Sequence, residues 1–294
     1  GIHSEFFELG GHSLIAAQLI TRIKQEFNAE IPFRSIFDRL TIAGLVKQIE
    51  LSGVAGKGHE SRIQHLASDR NEFQLSSSQS RIWFMEKFDP GMVAYNLPMD
   101  YKISGNLDME ILEKTLDYLI ERHESFRTIF PEINGEPVQK VLTGLQADLP
   151  VVHLEKEPKE KITALIAQHS LENAMHHFNL GKGPLFRFRL LMLGKNEFLL
   201  LINIHHIISD AISLSIILDE MKNVYHSLLN HEPIDLPAIP VTYADYTWWQ
   251  NDWLKGEEYR NQVEFWKKEL TGAPDLLQLP LDFHRPKTTT YHGR

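Results

Sequence analysis

Cysteine is absent from this 294-residue chain, which excludes disulfides, thiolate metal sites and cysteine nucleophiles. No apolar run approaches the ~20 residues of a membrane-spanning helix, and no charged-then-apolar signal segment opens the chain. A basic block is missing too: 30 lysines and arginines stand against 39 acidic residues, for a formal charge of −9. Nucleic acid and membrane are therefore excluded as expected partners. Internal repeats and low-complexity tracts are also lacking. What is there, 43% hydrophobic and 23% charged residues, is ordinary globular material with enough length for two units and a sizeable core. The expectation is a soluble, cytoplasmic stretch of a larger protein that begins upstream of Gly1.

The first 52 residues predict helices only. Leu19, Ile23 and Phe27 fall four apart, as on one face of an amphipathic helix over 14–27. Beyond Pro32, "FRSIFDRL" reads as a short helix and "TIAGLVKQIEL" as a longer one capped by Thr41. Residues 53–72 lose periodicity and collect glycine, serine and charge, the composition of a linker. From Phe73 onward the types alternate. "DMEILEKTLDYLIERHE" sets Leu112, Leu116, Leu119 and Ile120 on one helical face. Two extended runs then flank Asn134-Gly135, a strong hairpin signal. "PLFRFRLLML", with Arg187 and Arg189 alternating outward, and "FLLLINI" predict paired strands; the second, apolar on both faces, suits the middle of a covered sheet. Helical spacing resumes through Ile212, Ile216, Ile217, Val224 and Leu228. The fold class is mainly α/β, a sheet layered with helices behind a small helical unit.

Two stretches carry chemistry. In "FFELGGHSL", Gly10-Gly11 and His12 precede Ser13 at a helix start. Ser13 reads either as a plain N-cap or as a hydroxyl where an attached phosphate would meet unpaired backbone N–H groups. In "INIHHIISDAIS", a buried strand delivers His205 and His206, and Asp210 stands just before a helix. A structural histidine with a capping aspartate is one reading and a reactive crevice is the other. Adjacent residues after a strand point to opposite sides, which argues against a shared metal.

"FFELGGHSL" resembles the signature of the thiolation (peptidyl carrier) domain of non-ribosomal peptide synthetases, and "HHIISDA" resembles the HHxxxDG motif of their condensation domains. "SSSQSRIW" (76–83), "RHESFRTIF" (122–130) and "YADYTWW" (243–249) are similar to the opening, second and fourth condensation motifs, in order. The resemblance implies a carrier domain over 1–52 without its first helix, a linker over 53–72, and over 73–294 one chloramphenicol-acetyltransferase-like lobe with the start of a crossover. It implies a 4′-phosphopantetheine on Ser13, beside Gly11 and His12; no metal is expected, since the two histidines diverge and no third cluster has ligand spacing. It implies amide-bond formation between a carrier-bound acyl donor and a carrier-bound aminoacyl acceptor, in peptide or hybrid polyketide synthesis.

Within the motif, the resemblance makes His206 the catalytic histidine, His205 structural, and Asp210 an orienter paired with Arg81. Ala211 departs from the motif's glycine. No nucleophile elbow surrounds a serine there, so direct transfer without an acyl-enzyme is expected. Arg122 and Arg127 read as scaffold ion-pairing residues, and Trp249 and Trp253 as core. Implied partners are an upstream adenylation domain, a downstream carrier domain and a phosphopantetheinyl transferase. The isolated stretch is expected to be inactive without a second lobe. Competing readings are a carrier-recruiting module that makes no bond, and an acyltransferase acting on a free small molecule. Epimerase relatives share the histidine motif but fit "SSSQSRIW" and "RHESFRTIF" less well.

Overall fold

The computed structural model describes residues 1–11, 13–27, 29, 31, 41–52, 63–65, 71–274, 280 and 283. It divides into two units, Gly1–Arg62 and Ile63–Arg294. The helix expected over "FRSIFDRL", most of the 53–72 linker and His12 lie outside the described residues.

In the first unit, helix α1 (Ser13–Phe27) turns Ala16, Leu19, Ile20 and Ile23 inward at i, i+3, i+4, i+7 spacing. They pack with Phe6, Ala29, Ile31 and Leu45, the last from α2 (Ile42–Ser52). Thr41 caps α2 by accepting the Gly44 N–H at 3.0 Å. Phe27, expected on the inner face, is exposed: it is the last residue of α1, and the apolar stripe outruns the core it packs on.

In the second unit, β1 (Glu72–Phe73) leads into α3 (Ser77–Phe88), whose start is a reciprocal capping box of Ser76 and Gln79. Strand β2 (Asn96–Ser104) and α4 (Met109–Arg122) follow. Then come the short strands β3 (Thr128–Ile129), β4 (Glu132–Ile133), β5 (Glu136–Pro137), β6 (Gln139–Val141) and β7 (Val151–His153). Between β4 and β5, Asn134 and Gly135 take φ of 54° and 85°, the two positive values that a type I′ hairpin turn requires. The chain continues through α5 (Lys159–Ala174), β8 (Phe186–Gly194), β9 (Glu197–His205), α6 (Ala211–Leu229), α7 (Tyr243–Trp253) and α8 (Glu257–Glu269).

The main sheet has the order β2-β9-β8-β7, antiparallel except for the β7–β8 edge pair. β9 is an interior strand, paired on both edges, and helices cover both its faces. Phe198, Leu200, Ile202 and Ile204 pack with Phe186, Phe188 and Leu190 on one face. Leu112, Leu116 and Leu119 of α4 and Ile217 and Met221 of α6 close that layer. On the other face Leu201 meets Leu191, Leu154 and, from α5, Leu165 and Ile166. That second layer corrects the outward reading of the strand arginines. Arg187 and Arg189 are half-buried on the α5 side, where Arg189 donates to His169 Nδ1 at 3.0 Å and to Glu172 at 3.1 Å. Along α6, Ile217 and Val224 are buried while Ile212 and Ile216 stay exposed. Trp249 stacks on Trp253 at 6.3 Å, but both rings are half-buried rather than core. Among the described residues no helix is long and apolar enough to cross a membrane.

Candidate active site

The site starts where β9 stops. The His205 N–H donates to Leu185 O at 2.9 Å and the His206 N–H to Tyr95 O at 2.8 Å, clamping the strand end from both sides. Successive side chains of an extended strand leave on opposite faces, so one imidazole is driven in and the other out. His205 is only 1% exposed. Its ring packs near Tyr95 and Phe178, and its Nδ1 accepts the Ile207 N–H at 3.2 Å. The proton of the neutral ring therefore sits on Nε2, a buried atom with no partner among the described residues. Burial, followed by the nearby His206, pushes the His205 pKa down to about 4.

This shift makes His205 an acid-sensitive element of stability. Its ordinary value is 6.5, so between there and about 4 the unfolded chain binds a proton that the native ring refuses. Stability is fully present above the unfolded pKa and falls as pH drops toward 4, by about 3 kcal/mol in all. In His205→Asn, an amide oxygen can stand in for Nδ1 as the Ile207 acceptor without titrating. Urea unfolding between pH 4 and 7 is expected to show a correspondingly flatter slope in this variant. Parallel slopes for the two proteins would contradict a neutral, buried His205.

His206 is exposed and its Nδ1 lies 2.8 Å from Ser209 O. A carbonyl only accepts, so Nδ1 carries the hydrogen and the neutral ring keeps the lone pair on Nε2. The ring lines a cavity of about 240 Å³ together with Ser78, Gln79, Ser125, Thr128 and Tyr243. A base with a fixed tautomer on a cavity wall is suited to taking a proton from a bound nucleophile.

The expected Asp210–Arg81 pair does not form. Asp210 is the N-cap of α6, accepting the Ser213 N–H at 2.8 Å and the Ser213 hydroxyl at 2.7 Å. Its burial raises the carboxyl pKa, but the bonds from Ser213 and Ile212, with His206 nearby, hold it below the ordinary carboxylate range. Arg81 is exposed on α3, which turns Ser78, Gln79 and Ile82 to the cavity instead. A helix cap accounts for Asp210, a contribution of about 1 kcal/mol rather than the ~3–5 kcal/mol of a stranded buried ion. Ala211 is the exposed first residue of α6, and its φ is not in the left-handed region. Glycine's conformational freedom is not required there, so the departure from the motif leaves no strain.

The sequence reading missed what lies behind the cavity. Gln79 Nε2 donates to Gln139 Oε1 at 2.9 Å, and Gln139 Nε2 donates to Gln74 O and to Thr247 Oγ1. Ser76 Oγ and Tyr243 Oη lie 3.0 Å apart. This network joins the start of α3, β6 and the start of α7, so "SSSQSRIW" and "YADYTWW" meet as one buried polar support. The S-x-x-Q spacing and the Thr242–Asp245 capping box were visible signals of the two helix starts. Nothing in the sequence marked Gln139. In "RHESFRTIF", Arg122 grips Glu220 of α6 through Nε at 3.0 Å and Nη2 at 3.1 Å, and His123 Nε2 lies 2.6 Å from the same carboxylate. Arg127 donates to the backbone carbonyls of Ile120, Glu121 and Leu142.

In the first unit, Ser13 opens a 15-residue helix whose first turn has no acidic residue. Ahead of it Gly10 has φ 88°, and a Cβ on Gly11 would collide with the Phe6 ring. The chain thus turns tightly into a helix N-terminus, whose first N–H groups have no intrahelical partner by geometry and whose first turn, among the described residues, carries no acidic side chain; this suits a phosphate ester on Ser13.

Comparison with known proteins covers both units. The model described as "Condensation domain" matches residues 69–294, and the one described as "Phosphopantetheine attachment site" matches residues 1–49. One of the linear gramicidin synthase proteins of Brevibacillus parabrevis is 40% identical over 294 residues, which are all of this chain and 6% of that protein. The dimodular nonribosomal peptide synthase of Bacillus subtilis (strain 168) is 35% identical over 298 residues, again all of this chain and 12% of that protein. Among solved structures, the starter condensation domain of rhizomide synthetase aligns with a TM-score of 0.63 at 19% identity, over 70% of this chain and 49% of that one. The X-domain from teicoplanin biosynthesis aligns with a TM-score of 0.66 at 23% identity, over 76% and 49% respectively.

Proposed function

The chain belongs to the condensation-domain family, with a phosphopantetheine attachment domain ahead of it; on that premise we propose that it forms amide bonds in non-ribosomal peptide synthesis. In this reading residues 1–52 are the carrier, 53–72 a linker and 73–294 the first lobe of the condensation domain. The observation that carries the reading is His206, whose Nδ1–H is fixed by Ser209 O while the ring lines the cavity.

The amine of an aminoacyl acceptor attacks the carbonyl carbon of a donor thioester; the C–N bond forms and the C–S bond breaks. His206 Nε2 takes the proton that the nitrogen loses and returns it to the departing sulfur, so the ring ends as it began. No residue of the cavity wall is asked to become acylated, and transfer is direct. Asp210 holds the start of α6, and the Gln79–Gln139–Thr247 network holds α3 and α7, so the cavity that His206 lines keeps its shape. Phosphopantetheine supplies the thiol that bears the acyl group and the reach to bring two carriers to one cavity, which makes the encounter effectively unimolecular. Ser13 is its attachment point, next to Gly11 and His12. Its donor side is loaded by an adenylation domain and its product passes to a downstream carrier, all in the cytoplasm. The 294 residues alone are proposed to be inactive, because the solved condensation-fold neighbours continue for about as long again as the aligned part.

The test uses the full synthetase. Incubated with coenzyme A and a phosphopantetheinyl transferase, the carrier is expected to gain the mass of one arm, and Ser13→Ala to lose that gain. With both carriers loaded, intact mass should then show the donor acyl group on the downstream carrier. No gain at Ser13 would return that serine to a plain cap, and no transfer between loaded carriers would refute the condensation reading.

A further inference from the structure

Tyr243, the first residue of α7, lines the cavity of His206 and is 40% exposed. Its Oη lies 3.0 Å from Ser76 Oγ, a distance that leaves the donor undecided. Burial decides it. Ser76 is fully buried, its Oγ already accepts the Gln79 N–H at 3.2 Å, and among the described residues only Tyr243 Oη stands ready to accept its hydrogen. With Tyr243 as the donor, the Ser76 hydrogen would be sealed in without a partner, a loss that the opposite direction avoids. Ser76 therefore donates to Tyr243, and the phenol's own hydrogen is left over at the cavity end of the chain of bonds. The other hydroxyls of that wall are spent or loose. Thr128 donates to Glu124 O at 2.8 Å, Ser213 donates to Asp210 at 2.7 Å, and Ser209 Oγ is itself buried. The hydroxyls of Ser78 and Ser125 have no bond among the described residues to hold them. Tyr243 alone of this set is both held and free to donate, and the Thr242–Asp245 capping box fixes its backbone.

Resting on the condensation reading above, we propose that Tyr243 is a catalytic residue whose hydroxyl holds the carbonyl oxygen of the donor thioester and stabilises the oxyanion formed there. As the amine nitrogen bonds to the carbonyl carbon, the C=O π pair moves onto oxygen, where the Tyr243 O–H donates to it. His206 takes the proton from nitrogen. The oxygen pair then re-forms C=O, the C–S bond breaks, and the proton passes from His206 to sulfur. Tyr243 keeps its hydrogen throughout. The two side chains divide the work because neutral His206 presents a lone pair at Nε2, so a separate donor must meet the oxygen. The bond from Ser76 polarises the phenol and makes it the stronger donor. Burial raises the Tyr243 pKa above its ordinary 10, against the bond from Ser76, so the hydrogen is in place at neutral pH. The titratable groups about it are Asp210 and Tyr246, whose ring centroid lies 5.3 Å away, with His206 on the same cavity wall.

The test is run in the full synthetase with both carriers loaded, measuring single-turnover transfer with one fixed donor and one fixed acceptor. Tyr243→Phe removes the hydroxyl and is expected to slow transfer by ~10²–10³-fold, the usual loss when an oxyanion donor is deleted. That variant also strips Ser76 of its acceptor, so a second one keeps the oxygen in place. Difluorotyrosine incorporated at position 243 retains the Ser76 bond, while its ring fluorines make the phenol more acidic. Dividing each rate by the wild-type rate at the same pH cancels the titration of every other group. At pH 6 the difluorotyrosine protein is expected to match or exceed wild type, as the stronger donor. As pH rises through its phenol pKa, the relative rate should fall by about tenfold per pH unit, because the donated hydrogen is lost. A structural role leaves that ratio flat. Phenylalanine within about threefold of wild type, or a difluorotyrosine ratio that stays flat from pH 6 to 9, overturns the proposal and leaves the condensation reading intact. A wild type that transfers nothing between loaded carriers overturns both.

Discussion

Replacing His206 by alanine in the full synthetase is expected to slow carrier-to-carrier transfer by ~10²–10⁴-fold, the usual loss when a positioned base or charge stabiliser is removed. Both carriers should still load, because loading is done by other domains, so intact mass separates a chemical defect from a supply defect. The structure sharpens the experiment. Nδ1 is committed to Ser209 O, which leaves Nε2 as the nitrogen that acts. His206→Gln places an amide where Nε2 stands, able to donate a hydrogen bond but carrying no basic lone pair. A base role predicts that glutamine is as slow as alanine. A role in stabilising the tetrahedral oxyanion predicts that glutamine recovers part of the rate. If the lobe only recruits carriers and forms no bond, flux through the synthetase should be untouched by either substitution, and the catalytic reading falls.

Short-range features of the fold were legible from the residues alone because they are decided locally. Asn134-Gly135 turns where its positive φ values are cheap, Thr41 caps its own helix, and the doubly apolar β9 could only sit mid-sheet. The alternation that separates His205 from His206 is a property of any strand end. Long-range pairings were not legible. The resemblance pairs Asp210 with Arg81, yet a carboxylate three residues from an unpaired helix N–H finds that donor first. By spacing alone Glu220 is an ordinary polar position along α6, and Gln139 a polar residue in an extended run. Only the crossing of α6 over α4, and of β6 beneath α3 and α7, gives those two side chains their partners. Alternation along the strand points Arg187 and Arg189 outward, and nothing in the strand itself announces that α5 covers that face.

Glu220→Ala is expected to destabilise the condensation unit by about 3–5 kcal/mol, the scale for removing one partner of a buried ion pair. The Arg122 and Glu220 side chains are 14% and 12% exposed, so the guanidinium left behind would be poorly hydrated. Arg122 would retain its bond to Pro237 O, and His123 would lose its only described carboxylate contact. Removing both charges together is a different perturbation: Arg122→Leu with Glu220→Leu should cost less than the two single changes added, since neither ion is then stranded. Acid makes the same point without mutation. Burial raises the Glu220 carboxyl pKa, but the bonds from Arg122 and His123 prevail and hold it below its ordinary 4.5. Its contribution is therefore present above 4.5 and lost as pH falls through the lower native value. Urea unfolding at pH 7 and below pH 4 should show the wild type and Glu220→Ala converging at acid pH. Equal stability of the two at pH 7 would mean that the contact carries no net energy. The consequence reaches the reaction through geometry, since this pair fixes α6, and with it Asp210 and Ser213, against the stretch bearing Ser125. Loosening it moves two walls of the cavity relative to His206, so Glu220→Ala should lower the transfer rate even at temperatures where the protein remains folded.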